Sequence, residues 1–180
     1  MIFATVGTQL PFDRLLLSLD SWAAGRPDIP VLAQTGTSRL RFQNIATVGH
    51  VSQAEFRARM TEARVVVGHA GMGTILTAAE LGKPLILMPR LARYGEHRND
   101  HQLDTLREMA RLSNVTVARS EEELHAQLDS ALAGDFEADR RRDLVTAVAT
   151  RPLLDFVREF VWKDRPVSGH ADATTPRAAA

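Results

Sequence analysis

The chain has 180 residues, a length that suits one domain of ordinary size followed by a tail and is too short for two full α/β domains. Its 22 basic and 22 acidic side chains balance, so charge gives no argument for a nucleic-acid partner or an anionic membrane, and any anion site has to be local. Because cysteine is absent, disulfides, thiolate catalysis and cysteine-based metal sites are excluded.

The N-terminal sequence enters a strand pattern at Ile2, with no charged leader and no apolar stretch of signal length. No apolar run reaches the roughly 20 residues that a membrane-spanning helix needs. We therefore expect a cytosolic protein.

Strand and helix patterns alternate over the first 132 residues. Strands are expected at Ile2–Val6, Val31–Gln34, Ile45–Val48, Arg64–Gly68, Leu85–Met88 and Val115–Val117. Helices are expected from Leu15 to Trp22, from Ser52 through Met60, and over Leu76–Leu81, His101–Arg111 and Glu121–Leu132. This alternation predicts an α/β fold whose parallel sheet is covered on both faces.

Local signals mark several helix ends. Ser52 with Glu55 three residues later forms a capping box, and Ser120 with Glu123 repeats the pattern. Gly82 follows the third helix as its stop signal.

The pattern changes after Gly134. We expect an α/β domain over residues 1–134, a helical extension over 135–163 and a disordered tail over 164–180, which is rich in Ala, Thr and Pro. The amphipathic stretch Leu153–Trp162 is expected to pack on the domain's own sheet. Docking on a partner or on a membrane surface is the alternative.

A turn with three glycines joins the fourth strand to its helix, reading Gly68-His69-Ala70-Gly71-Met72-Gly73-Thr74. A helix start carries unpaired N–H groups and a partial positive charge, and glycine lets a phosphate approach the backbone. The order of residues differs from the Walker A loop and from the dinucleotide fingerprint, so neither ATP nor NAD is expected. The alternative is a plain tight turn.

Glu80 lies on the helix that begins at this turn. Its side chain can lean back towards a ligand at the helix start, where a carboxylate suits the two hydroxyls of a ribose. The alternative is a solvated surface glutamate.

The loop Arg90–Gln102 follows the next strand, at the same edge of the sheet. It offers Asn99, Asp100 and Gln102 as groups that bind hydroxyls, or it is a solvated loop. His97 and His101 lack the further ligands that a metal site needs.

Together these motifs resemble the nucleotide-binding domain of family 28-like glycosyltransferases over about residues 1–132. The similarity is greatest to the short donor-binding subunits of two-component exopolysaccharide and capsule transferases, and to the catalytic subunit of the eukaryotic two-part N-glycan UDP-GlcNAc transferase. The residues that carry it are Thr5-Val6-Gly7-Thr8-Gln9, Pro11-Phe12-Asp13, Gln34-Thr35-Gly36, Gly68–Thr74, Glu80, Gly82-Lys83-Pro84 and Asn99-Asp100-His101-Gln102-Leu103.

The resemblance implies a single Rossmann-like domain that forms the C-terminal half of a GT-B transferase. It implies that Glu80 binds the ribose and that His69 stabilises the leaving group. The other implied roles are diphosphate binding by Gly7, Thr8, His69, Gly71, Met72, Gly73 and Thr74, sugar binding by Asn99, Asp100 and Gln102, and contact with a base, uracil, at His50 and Val51.

The implied reaction is an inverting transfer from a UDP-sugar, without a metal or a cofactor. Since one domain does not complete a site between two, the general base is expected from a membrane-anchored partner subunit that brings a polyprenyl-diphosphate-linked acceptor. This places the chain in the cytoplasm at the inner face of the plasma membrane, with no nucleic-acid partner. The alternative is a non-catalytic nucleotide-sugar-binding module that stabilises or activates a separate transferase.

In some of the resembling systems the donor is UDP-glucuronate. Arg90, Arg93 and Arg98 are candidates for pairing with its carboxylate, because guanidinium binds carboxylates in bidentate fashion. The diphosphate or the solvated surface are the alternatives for these three arginines.

Overall fold

The computed structural model describes residues 1–98, 106, 109 and 114–134. Their strands are β1 (Ile2–Thr5), β2 (Val31–Gln34), β3 (Ala46–Val48), β4 (Val65–Gly68), β5 (Leu85–Leu87) and β6 (Val115–Val117). They form one sheet in the order β3-β2-β1-β4-β5-β6, and every neighbouring pair is parallel. The predicted α/β fold with a parallel sheet is therefore confirmed. In this order the direction of strand succession reverses between β1 and β4, which is where such sheets bind ligands.

Four α-helices lie in the described ranges: α1 (Asp13–Ala24), α2 (Gln53–Glu62), α3 (Met72–Glu80) and α4 (Glu121–Ala133), with a 3₁₀ turn at Ala92–Tyr94. The predicted capping box of α2 is present: the hydroxyl of Ser52 accepts from the N–H of Glu55, and the N–H of Ser52 donates to the carboxylate of Glu55. In α4 the hydroxyl of Ser120 accepts from the N–H of Glu123, but the Glu123 carboxylate accepts from Arg119. None of these helices combines the length and the apolar character that crossing a bilayer requires.

Two buried clusters cover the two faces of the sheet. Because side chains alternate along a strand, Ile2 and Ala4 pack with α1 and α4, while Phe3 between them packs with α2 and α3. The strand β4 divides in the same way, with Val66 on the face opposite to its neighbours. Burial on both faces explains the continuous apolar runs of the central strands.

The start of α3 differs from the expected helix Leu76–Leu81. The helix begins four residues earlier, at Met72, because the glycine-rich sequence around Gly73 reads as a turn although its backbone is already helical. Gly82 adopts a left-handed φ of 58° after the helix, which confirms the predicted stop.

Several predicted segments lie outside the described residues. Of the helix expected at His101–Arg111, only Leu106 and Met109 are described, and both are helical and buried. The extension 135–163 and the tail 164–180 stay predictions.

Candidate functional site

A cleft of about 590 Å³ lies at the carboxyl ends of the central strands. Its walls are the loop after β1, the segment from His50 to Arg57 that leads into α2, and the turn that leads from β4 into α3. Arg90, Glu96 and His97 line it from the loop after β5. The cleft thus lies at the reversal point between β1 and β4, and its volume suits a small-molecule ligand.

The first turn of α3 presents free backbone donors to this cleft. Gly71 is the N-cap residue, and its own N–H donates to the carbonyl of His69 at 2.7 Å. The first helical bond runs from the N–H of Ile75 to Gly71, so the N–H groups of Met72, Gly73 and Thr74 donate to no acceptor among the described residues. Three free amides at the positive end of a helix can bind an anion.

Gly73 leaves this helix start open. It is exposed and lines the cleft, and a Cβ added there would meet no atom within 4 Å. A phosphate can therefore approach the amides without displacing protein atoms.

The imidazole of His69 is packed between two glycines. A Cβ on Gly7, whose φ of 76° is left-handed, would lie 2.8 Å from Cε1 of His69, and a Cβ on Gly71 would lie 2.5 Å from Nε2. The absence of both side chains lets the loop after β1 and the turn after β4 close on the same ring. Sequence reasoning placed all three residues at one site, and the structure brings them together.

Burial sets the ionisation of this histidine. Desolvation first, and then the positive charge of Arg90 together with His97, lower the pKa of His69 from 6.5 to about 4, against an opposing interaction with the Thr5 backbone. Its Nδ1 is buried without a hydrogen-bond partner among the described residues. The ring is therefore neutral at pH 7 and retains an unsatisfied buried polar atom.

Gln34 fixes the loops around the cleft, a role that the sequence did not suggest. The hydroxyl of Thr5 donates to Oε1 of Gln34 at 2.8 Å, while its Nε2 donates to the carbonyls of Gly7 and Gly49 at 3.0 and 3.1 Å. Its signal in the sequence is a polar residue ending an apolar strand, and its partners become visible only in the fold.

Arg90 has a role different from the expected pairing with a sugar carboxylate. It is 3% exposed, and the N–H groups of its terminal nitrogens donate to the carbonyls of Val6, Leu10, Pro11 and Glu96. Since these four bonds use every donor of the two terminal nitrogens, the fork that would bind a carboxylate is occupied. The guanidinium instead ties the loop after β1 to the loop after β5. Arg93 and Arg98 are exposed and stay candidates.

Glu80 shares one face of α3 with Gly73 and Thr77, which both line the cleft. Its exposed carboxylate accepts a hydrogen bond from Arg57 of α2 at 2.9 Å. Glu80 itself does not line the cleft, but Arg57 does. Ribose binding by Glu80 stays a prediction, and Arg57 and Thr77 are cleft residues that the sequence did not single out.

The remaining predicted residues divide into two groups. Thr8, His50 and Val51 line the cleft, so the diphosphate and base roles assigned to them remain open to test. The sugar-binding candidates Asn99, Asp100 and Gln102 lie outside the described residues, as does His101. Over the ranges that are described, no three histidine or acidic side chains gather in a way that could hold a metal ion.

Solved structures with the same fold include three glycosyltransferase-type chains. The glycotransferase of kitacinnamycin superposes with a TM-score of 0.54 at 18% identity, over 88% of this chain and 43% of its own. The glycosyltransferase SnogD from Streptomyces nogalater superposes with a TM-score of 0.53 at 20% identity, over 78% of this chain and 37% of its own. Os79 from O. sativa, solved in complex with UDP, superposes with a TM-score of 0.59 at 18% identity, over 81% of this chain and 34% of its own.

The chain thus spans about two fifths or less of the length of these three proteins. At such identities the likeness shows the fold alone. Among curated proteins, no relative matches the chain.

A sequence model of the glycosyltransferase family 28 C-terminal domain matches residues 1–145, a range that contains the whole cleft. The matched range covers more than half of the chain, and the chain belongs to the family of glycosyltransferase family 28 C-terminal domains.

Proposed function

We propose that this chain is the donor-binding catalytic subunit of a two-component inverting glycosyltransferase. It binds a UDP-sugar and transfers the sugar to a polyprenyl-diphosphate-linked acceptor in exopolysaccharide or capsule synthesis. The observation that carries the proposal is the set of three free amides at the start of α3, beside the buried imidazole of His69.

These groups fit the chemistry of a departing nucleoside diphosphate. When the bond to the anomeric carbon breaks, negative charge grows on the leaving diphosphate. Fixed amide dipoles stabilise that charge more strongly than they stabilise the bound donor, and this difference accelerates the reaction. His69 supplies a hydrogen bond at the same place, and the growing charge favours its protonated form.

The general base is assigned to the partner subunit. Among the described residues of the cleft, Glu96 is a carboxylate, but both its oxygens accept from Arg14 and one also accepts from the N–H of Leu91. Both oxygens of Glu96 are thus engaged by groups of this chain and are not presented to an acceptor hydroxyl. We therefore assign the base, the acceptor site and the attachment to the inner face of the plasma membrane to a membrane-anchored partner.

We propose UDP-glucuronate as the donor. Arg93 and Arg98 are exposed on this loop, and Arg93 stacks on Tyr94 with 4.8 Å between its guanidinium carbon and the ring centroid. A stacked arginine keeps its donor fork available to a carboxylate. Arg93→Ala should then weaken the binding of UDP-glucuronate more than that of UDP-glucose. Equal losses of affinity for both donors would remove this assignment.

The test of the function is a transfer assay. The purified chain is added to membranes that contain its partner, with radiolabelled UDP-sugars, and label is measured in the lipid fraction. We expect transfer by the wild type and by Arg59→Ala, an exposed control, and loss of transfer in His69→Ala and Glu80→Ala with folding intact. Normal turnover in both site variants would remove the site assignment, and UDP binding without any transfer would favour the non-catalytic module.

A further inference from the structure

An ion pair joins α2 and α3 beside the cleft. On α2 the residues that line the cleft are Gln53, Phe56 and Arg57, which share one face by their spacing. On α3, Gly73 and Thr77 line the cleft, and Glu80 continues their face beyond it. The pair between Arg57 and Glu80, 2.9 Å from Nη1 to Oε2, joins the ends of these two faces.

This ion pair does little for the fold. Both side chains are about half exposed, at 57% and 51%, and exposed pairs contribute little to stability because water screens them. The helix α2 contacts the core through the buried Met60 and the partly buried Phe56, and the exposed Arg57 is not part of that contact. The position of Arg57 calls for an explanation in terms of the cleft.

The geometry suits a carboxylate that has to be held ready for a ligand. The contact with Arg57 uses one oxygen of Glu80, which leaves Oε1 available to accept from another donor. Without a partner, an exposed glutamate samples several rotamers, and fixing one of them on binding costs free energy. A guanidinium already bound to one oxygen reduces that cost.

We infer that Arg57 is a positioning residue, which orients the Glu80 carboxylate towards the ribose hydroxyls of the bound nucleotide. The inference rests on the proposed function, since it requires a nucleoside diphosphate at the start of α3. Arg57 acts through Glu80, so its contribution depends on the hydroxyls that Glu80 accepts from.

The experiment compares UDP with 2′,3′-dideoxy-UDP by calorimetric titration of the full chain. Arg57→Ala should weaken UDP binding about two- to tenfold, the cost of ordering one exposed side chain. It should leave the already weaker binding of the dideoxy nucleotide unchanged within about twofold. In the Glu80→Ala background, the same substitution should produce no further loss.

The matched control is Arg59→Ala. Arg59 lies two residues further along α2, forms an exposed ion pair with Glu62 at 3.2 Å, and is absent from the cleft. The Arg59→Ala variant should bind both nucleotides with the affinities of the wild type. Arg57→Lys should retain part of the UDP affinity, because the charge remains while the fork is lost.

Each other outcome has a defined meaning. Equal losses for UDP and the dideoxy nucleotide would show that Arg57 acts directly on the phosphates or the base, and unchanged or tighter UDP binding would show that it does not orient Glu80. Either result overturns the inference. A wild type that binds neither nucleotide instead contradicts the proposed function.

Discussion

Replacing Gly73 by alanine should separate folding from ligand binding. The residue lies in the first turn of α3 with a negative φ, and an added Cβ would meet nothing within 4 Å. Alanine is the better helix former by about 0.5–1 kcal/mol, so the folded state gains up to that amount. For a chain of this size the gain corresponds to a rise of about 1–4 °C in Tm.

The same methyl group has the opposite effect on the ligand. Because Gly73 lines the cleft, the methyl group would occupy space beside the start of α3, where the proposed diphosphate has to approach. Losing one hydrogen bond to a charged group costs about 1.5–3 kcal/mol. UDP affinity should therefore fall at least about tenfold while Tm stays equal or rises.

Thermal unfolding and calorimetric titration with UDP measure the two effects on one sample. Gly25→Ala is the matched control: Gly25 is the C-cap residue of α1, its φ is −86°, and the nearest atom to an added Cβ is 3.9 Å away. The control should keep wild-type UDP affinity. A Gly73→Ala protein with intact fold and undiminished UDP affinity would refute the assignment of the helix start as the diphosphate site.

Three further predictions concern the groups that shape the cleft. Folding lowers the pKa of His69 to about 4, so between pH 6.5 and pH 4 the unfolded chain binds a proton on this histidine that the folded chain does not. The contribution of the neutral ring to stability is therefore complete above pH 6.5 and is lost as the pH falls towards 4. The free energy of unfolding, measured by urea between pH 7.5 and 4.5, should thus fall less in His69→Ala than in the wild type. Parallel plots of the free energy of unfolding against pH would contradict the buried neutral imidazole. Gln34→Leu leaves the buried hydroxyl of Thr5 without its acceptor and removes the side-chain donor to the carbonyls of Gly7 and Gly49, so the free energy of unfolding should fall by about 1–3 kcal/mol, measured by urea at pH 7. A loss below about 0.5 kcal/mol would count against the network. Arg90→Lys should lower the free energy of unfolding as much as Arg90→Ala, by about 3 kcal/mol or more, because an ammonium group cannot donate to four carbonyls arranged around a planar guanidinium. Full stability of the lysine variant in the same urea assay would show that the positive charge alone suffices.

The sequence predicts the sheet well because strand signals are local. The strands β2 and β6 were expected with the bounds observed, since each is a short run of strand-forming residues closed by polar or turn residues. The capping box at Ser52 was equally readable, because both partners lie within four residues. The start of α3 was misplaced because glycines inside a helix read as a turn.

The site was predictable as far as its backbone chemistry and no further. The free amides and the proximity of Gly7 to His69 follow from a glycine-rich turn and from the way parallel strands end at one edge. The burial of Arg90 was not foreseeable, because arginine in a loop is ordinarily exposed and its carbonyl partners come mostly from a distant part of the chain. The contact between Arg57 and Glu80 likewise depends on how two helices pack.

The proposed function depends above all on the binding of a pyrophosphate by the backbone amides at the start of α3. An amide-resolved NMR titration of the full chain with UDP measures this binding residue by residue. Saturable shifts are expected on the amides of Met72, Gly73 and Thr74, with smaller shifts at Gly7. Resonances at α3 that stay unmoved at millimolar UDP, or shifts confined to another part of the molecule, would contradict it.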